Sequence, residues 1–110
     1  MKLVNLTPHP IRIIGVDGEI TIPPSGQVAR VSVKQEETGK IVVDGVEIVI
    51  RRTKYGEVVG VPEPEEGTYY IASQVVLAAT DRQDVVAPDT TNAVRDENGQ
   101  IVGVPGLITK

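Results

Sequence analysis

The residues best equipped for chemistry crowd into one stretch, Thr80 to Gln100. It holds Asp81, Arg82, Asp84, Asp89, Thr90, Thr91, Asn92, Arg95, Asp96, Glu97 and Asn98. The guanidiniums of Arg82 and Arg95 have the fork geometry that grips a phosphate or carboxylate. The carboxylates of Asp84 and Asp89 could hold a hard cation or share acid/base work. A plainer reading competes: Asp, Asn and Thr are turn formers, and the arginines pair with them structurally. His9 is the single imidazole and lies between Pro8 and Pro10. No partner for a catalytic base stands near it, so its expected role is structural, with the ring bonded to backbone at a strand exit. The candidate ligand-binding set is therefore Arg82, Asp84, Asp89, Thr90, Arg95 and His9, suited to an anion. No catalytic residue is singled out.

Several chemistries lack their residues. The chain has no Cys, which removes thiol nucleophiles, disulfides and Cys metal clusters. There is no calcium-loop spacing, phosphate-binding loop, G-x-S-x-G or zinc-protease histidine pair. Asp17, Asp44 and Asp96 could be assembled into a metal site, but two of them sit in Asp-Gly turns, where backbone geometry already accounts for them. No metal and no cofactor is expected. The net charge is −4, and Lys and Arg are scattered without stacking aromatics, which disfavours nucleic acid as a partner. No run approaches the ~20 apolar residues that cross a bilayer, and the first residues lack a signal-length apolar run. The expectation is a cytoplasmic protein with no membrane partner.

The elements that must position these residues are read from the apolar ones. Val and Ile supply 30 of the 110 residues, with no Phe or Trp. Cβ-branched side chains fit a pleated surface better than a helix. Three turn signals, Asp17-Gly18, Asp44-Gly45 and Asn98-Gly99, each stand between apolar runs and predict hairpins. Val28–Lys34 alternates as a half-buried strand, and residues 35–39, Gln-Glu-Glu-Thr-Gly, read as a solvated loop tip. Ile41–Val43 and Val46–Arg52 form the second hairpin, with a further strand at Glu57–Val61. Thr68–Ala72 is strand-like, and only one of Tyr69 and Tyr70 can face a core. Ser73 caps a short helix over about 73–80. The fold class predicted is mainly β: one domain over residues 1–110, with about seven to nine short antiparallel strands in a partly closed barrel or sandwich and one short α-helix.

Certain stretches also carry a resemblance. Asn5-Leu6-Thr7-Pro8-His9, Ile22-Pro23-Pro24-Ser25-Gly26, Thr68-Tyr69-Tyr70-Ile71-Ala72-Ser73, Arg82-Gln83-Asp84-Val85, Pro88-Asp89-Thr90 and residues 95–103 resemble a family of small proteins of bacterial and bacteriophage genomes. The resemblance covers nearly the whole chain. It implies a phage-associated or accessory protein and brings no catalytic residues with it. The function expected is that of a small non-catalytic accessory binding protein of phage origin, taking a small anionic metabolite or a host protein. One alternative is a metal-assisted enzyme using Asp84, Asp89 and Arg82; another is a virion or assembly component. An aliphatic core and open strand edges also predict a homo-oligomer.

Overall fold

The computed structural model describes residues 1–110. In chain order it has β1 (Lys2–Asn5), β2 (Ile11–Ile14), β3 (Glu19–Ile22), β4 (Arg30–Val43), β5 (Val46–Val59), β6 (Thr68–Ile71), α1 (Gln74–Ala79), β7 (Val85–Pro88), β8 (Val94–Arg95), β9 (Ile101–Gly103) and β10 (Leu107–Ile108). The chain is mainly β with one short helix, as its composition predicts. Ser73 caps α1 by accepting from the Val76 amide.

The central sheet has the order β1-β6-β7-β10. It corrects the expectation of an antiparallel barrel or sandwich. β1 pairs parallel with β6, β6 pairs parallel with β7, and the sheets stay small and separate with no barrel closure. The physical reason lies between β6 and β7. Parallel neighbours need a crossover, and α1 is that crossover, so strand, helix and strand make one βαβ unit.

Apolar residues pack on both faces of this sheet, and its inner strand β7, Val85–Pro88, is apolar throughout. On one face Leu6, Tyr70, Ala72, Val85 and Ala87 pack with Val76 and Leu77 of α1 and with Val31 and Val58. On the other, Ile71 and Val86 pack with Ile11 of the β2–β3 hairpin and with Val104. Tyr70 is buried and Tyr69 is exposed, as alternation requires.

A second correction concerns the middle of the chain. The predicted loop tip at residues 35–39 is strand, and β5 runs on through Tyr55 with only a bulge between Tyr55 and Val58. β4 and β5 are each 14 residues long and form one hairpin closed by Asp44-Gly45. Asp44 and Gly45 have φ of 51° and 79°, the left-handed pair that a type I′ turn demands. This hairpin belongs to no larger sheet, and only its root, through Val31 and Val58, joins the core. It is an arm, and it stretches the molecule to 57 × 40 × 21 Å with a radius of gyration of 17.8 Å. A compact chain of this length has a radius of about 13 Å.

Candidate functional site

Arg82 sits where the chain leaves α1 for β7. Its Nε and Nη2 donate to Asp84 Oδ1 and Oδ2 at 2.9 and 2.7 Å, and its Nη1 donates to the Pro62 carbonyl at 2.8 Å. The guanidinium carbon lies 5.6 Å from the centre of the Tyr70 ring, and the Tyr70 hydroxyl donates to the Glu63 carbonyl. Together these groups pin the acidic loop, residues 62–67, onto the end of the sheet. The bidentate bond from Arg82 holds the Asp84 carboxyl below the usual carboxylate range, against the opposing effect of burial; the same bond raises Arg82. Both Asp84 oxygens and three Arg82 donors are engaged within the chain.

The other sequence candidates stand apart from this pair. Asp89 accepts from the Asn92 amide and side chain and caps a single 3-10 turn, Thr90–Asn92. Thr90 Oγ1 accepts from Gln74. Arg95 donates to the Gly99 carbonyl inside the β8–β9 hairpin. His9 is exposed, and the group that bonds there is its backbone carbonyl rather than its ring. Of the six candidates, only Arg82 and Asp84 are brought together by a direct bond. An open cleft of about 520 Å³ runs beside them, lined by Thr80, Asp81, Arg82, Gln83, Val85, Thr109 and Lys110. Lys110 Nζ in that cleft donates to the Ala78 and Thr80 carbonyls and to Asp81, each at 3.1 Å.

Sequence reading missed Asn5, which is 1% exposed. Its Nδ2 donates to the carbonyls of His9 and Ile22, and its Oδ1 accepts from the Thr7 amide and hydroxyl. All four bonding capacities of the amide side chain are used, so the segment Asn5-Leu6-Thr7-Pro8-His9 is a loop clamp. An Asn just after an apolar strand and before Thr-Pro was the available signal.

The arm presents the larger exposed surface. Cross-strand partners share a face of the pleat. Toward the tip the pairs Gly39–Ile50, Ile41–Ile48 and Val43–Val46 lie on one face. Its five aliphatic side chains are all exposed, from 42% at Ile48 to 60% at Val46. Nearer the root the same face carries Glu36–Arg52 and Lys34–Lys54, because Thr38 is an extra residue in β4 and the register shifts there. The opposite face is mixed at the tip: it carries the pairs Lys40–Val49 and Val42–Glu47, with Val42 exposed and Lys40 in ion pairs with Glu47 and Glu37.

Compared with protein-family models, with curated proteins and with solved structures, the chain matches none. Its function has therefore to be argued from these surfaces.

Proposed function

We propose that this chain is a non-catalytic assembly protein that binds another protein through its β-arm, in keeping with the accessory, phage-associated character that its sequence suggests. The observation that carries the reading is the arm itself. An isolated two-stranded hairpin is at best marginal in water and gains stability from a third strand or a packed face. This one projects a strip of five exposed aliphatic side chains with nothing against it. Large exposed apolar patches on soluble chains mark interaction sites. Only 14 of 110 residues are buried, so the chain leaves much of its apolar content to be covered by a partner.

The anion-binding and metal-enzyme readings draw less support. Arg82 and Asp84 satisfy each other, and Asp89, Thr90 and Arg95 are committed to local turns.

The test pairs two measurements. In a trimmed variant Asn-Gly replaces residues 37–51, joining the Glu36–Arg52 pair by a two-residue turn. It is expected to keep the melting temperature of the full chain within a few degrees, since the arm beyond its root adds nothing to the core. A melting panel with phosphate, nucleotides, Mg²⁺ and Mn²⁺ is expected to leave the full chain unshifted. Collapse of the trimmed fold, or a ligand-dependent rise abolished by Asp84→Asn, would overturn the reading.

A further inference from the structure

Three features of the strip face call for a surface that this chain does not supply internally. Lys34 and Lys54 lie directly opposite each other in the register, where like charges repel, and neither has a carboxylate within ion-pair distance. Asp44, at the arm's tip, is an acid with no cationic partner. Gly39 interrupts the aliphatic strip opposite Ile50. Its φ is not in the left-handed region, and a Cβ built there would meet nothing within 4 Å. It stands directly after the Thr38 bulge, a usual place for a strand glycine, and it leaves an open notch in the strip. The notch beside the bulge is wide enough to receive a side chain from outside the chain.

Building on the assembly reading, we propose that the occupant of the strip is the strip of a second copy, stacked face to face about a two-fold axis with the two arms antiparallel. A two-fold interface is self-complementary, so every group must meet its counterpart on the same patch. With the axis between the Ile41–Ile48 and Gly39–Ile50 pairs, Ile48 of each copy meets Ile50 of the other. Ile41 of each copy fills the notch over the other's Gly39, and Val43 and Val46 lie over the other's Glu36–Arg52 pair, at the edge of the apolar contact. Counting roughly 3.4 Å per residue from the axis, Asp44 lies about 14 Å out and Lys34 and Lys54 about 17 Å out on the opposite side. The antiparallel stack thus lays each tip acid against the other copy's unpaired lysines. A parallel stack would gather the lysines of both copies at one end and the acids at the other.

The overlap is roughly 30 Å long and about 10 Å wide, on the order of 300 Å² per copy, well short of the about 800 Å² of a standard interface. An overlap of this size argues for a weak, concentration-dependent dimer.

Sedimentation equilibrium of the full chain from about 5 to 500 µM tests this, with circular dichroism and melts run on each variant to establish folding. The wild type should pass from the 11.8 kDa monomer to twice that mass. Gly39→Val raises strand propensity and adds apolar surface, so a merely sticky arm would associate more. Filling the notch should instead weaken the dimer by at least tenfold. Asp44→Asn keeps a residue that tolerates the left-handed turn and removes the charge; it should weaken the dimer severalfold at 20 mM salt and little at 500 mM. A wild type monomeric at 500 µM overturns the second copy, as does a dimer that Gly39→Val leaves unchanged or tightens. A monomeric wild type whose trimmed variant stays folded and whose melts respond to no ligand sinks only the second copy and leaves the arm open to a different protein.

Discussion

Arg82 and Asp84 are bonded to each other, in line with the plainer reading that the arginines pair structurally, whereas sequence grouped Arg82 with Arg95 as an anion fork and Asp84 with Asp89 as a carboxylate pair. Sequence proximity and opposite charge made structural pairing of the arginines a reading to weigh, without naming this partner. That their bonds are spent on each other and on the Pro62 carbonyl was not legible, because the acidic loop returns from 20 residues away. Asp84 gives a pH prediction with a definite sign. Its folded carboxyl titrates below the ordinary value of about 3.9, so the pair's stabilisation is fully present above that pH and is lost as pH falls through the depressed value. Arg82 is shifted upward and stays charged throughout the usable range. Asp84→Asn should cost about 1–3 kcal/mol at pH 7 in urea unfolding. The gap between variant and wild type should shrink toward pH 2; a gap independent of pH would contradict the pairing.

At the scale of elements, the hairpin turns and the helix were legible because each rests on local chemistry. Asp44-Gly45 takes the predicted left-handed pair, and Ser73 caps the predicted helix. The length of the arm was not legible. Its middle carries Gln35, Glu36, Glu37 and Thr38, which read as loop because a strand exposed on both faces has no apolar alternation to reveal it. Where the arm meets the body, Gly60 was read simply as part of a strand over Glu57–Val61, yet it makes the closest approach to another backbone at the root. Its φ is +88°, and a Cβ there would come within 2.5 Å of the Val28 carbonyl oxygen. Gly60→Ala combines left-handed strain with a backbone clash and should cost about 2 kcal/mol or more. Gly67→Ala, also left-handed at φ +75° but with open space around its Cβ, should cost about 1 kcal/mol. Chemical unfolding of the two variants side by side measures the difference; equal losses would remove the close approach as its cause.

For the whole molecule, composition established the β class and the single βαβ unit escaped it. A helix of six residues between two four-residue strands is too short to announce a parallel sheet, although the order strand, helix, strand was present in the sequence. The molecule's shape supplies a further prediction. Small-angle scattering extrapolated to zero concentration should give a radius of gyration near 18 Å for the full chain, and the trimmed variant should fall toward the ~13 Å of a compact domain. A full-chain value near 13 Å would mean that the arm folds back onto the body.

The arm's register limits how such a chain can change length over evolutionary time. Its two irregularities are opposite in sense, one extra residue in β5 between Tyr55 and Val58 and one in β4 at Thr38, so both strands reach the Asp44-Gly45 turn with equal counts. Side chains alternate between faces at every residue. Adding one residue to each strand beside the turn turns the new tip pair to the opposite, mixed face. Adding two to each strand extends the aliphatic strip on its own side. Insertions and deletions tolerated in the arm should therefore come in multiples of four residues centred on the turn, a rule that a library of arm-length variants selected for self-association would test directly.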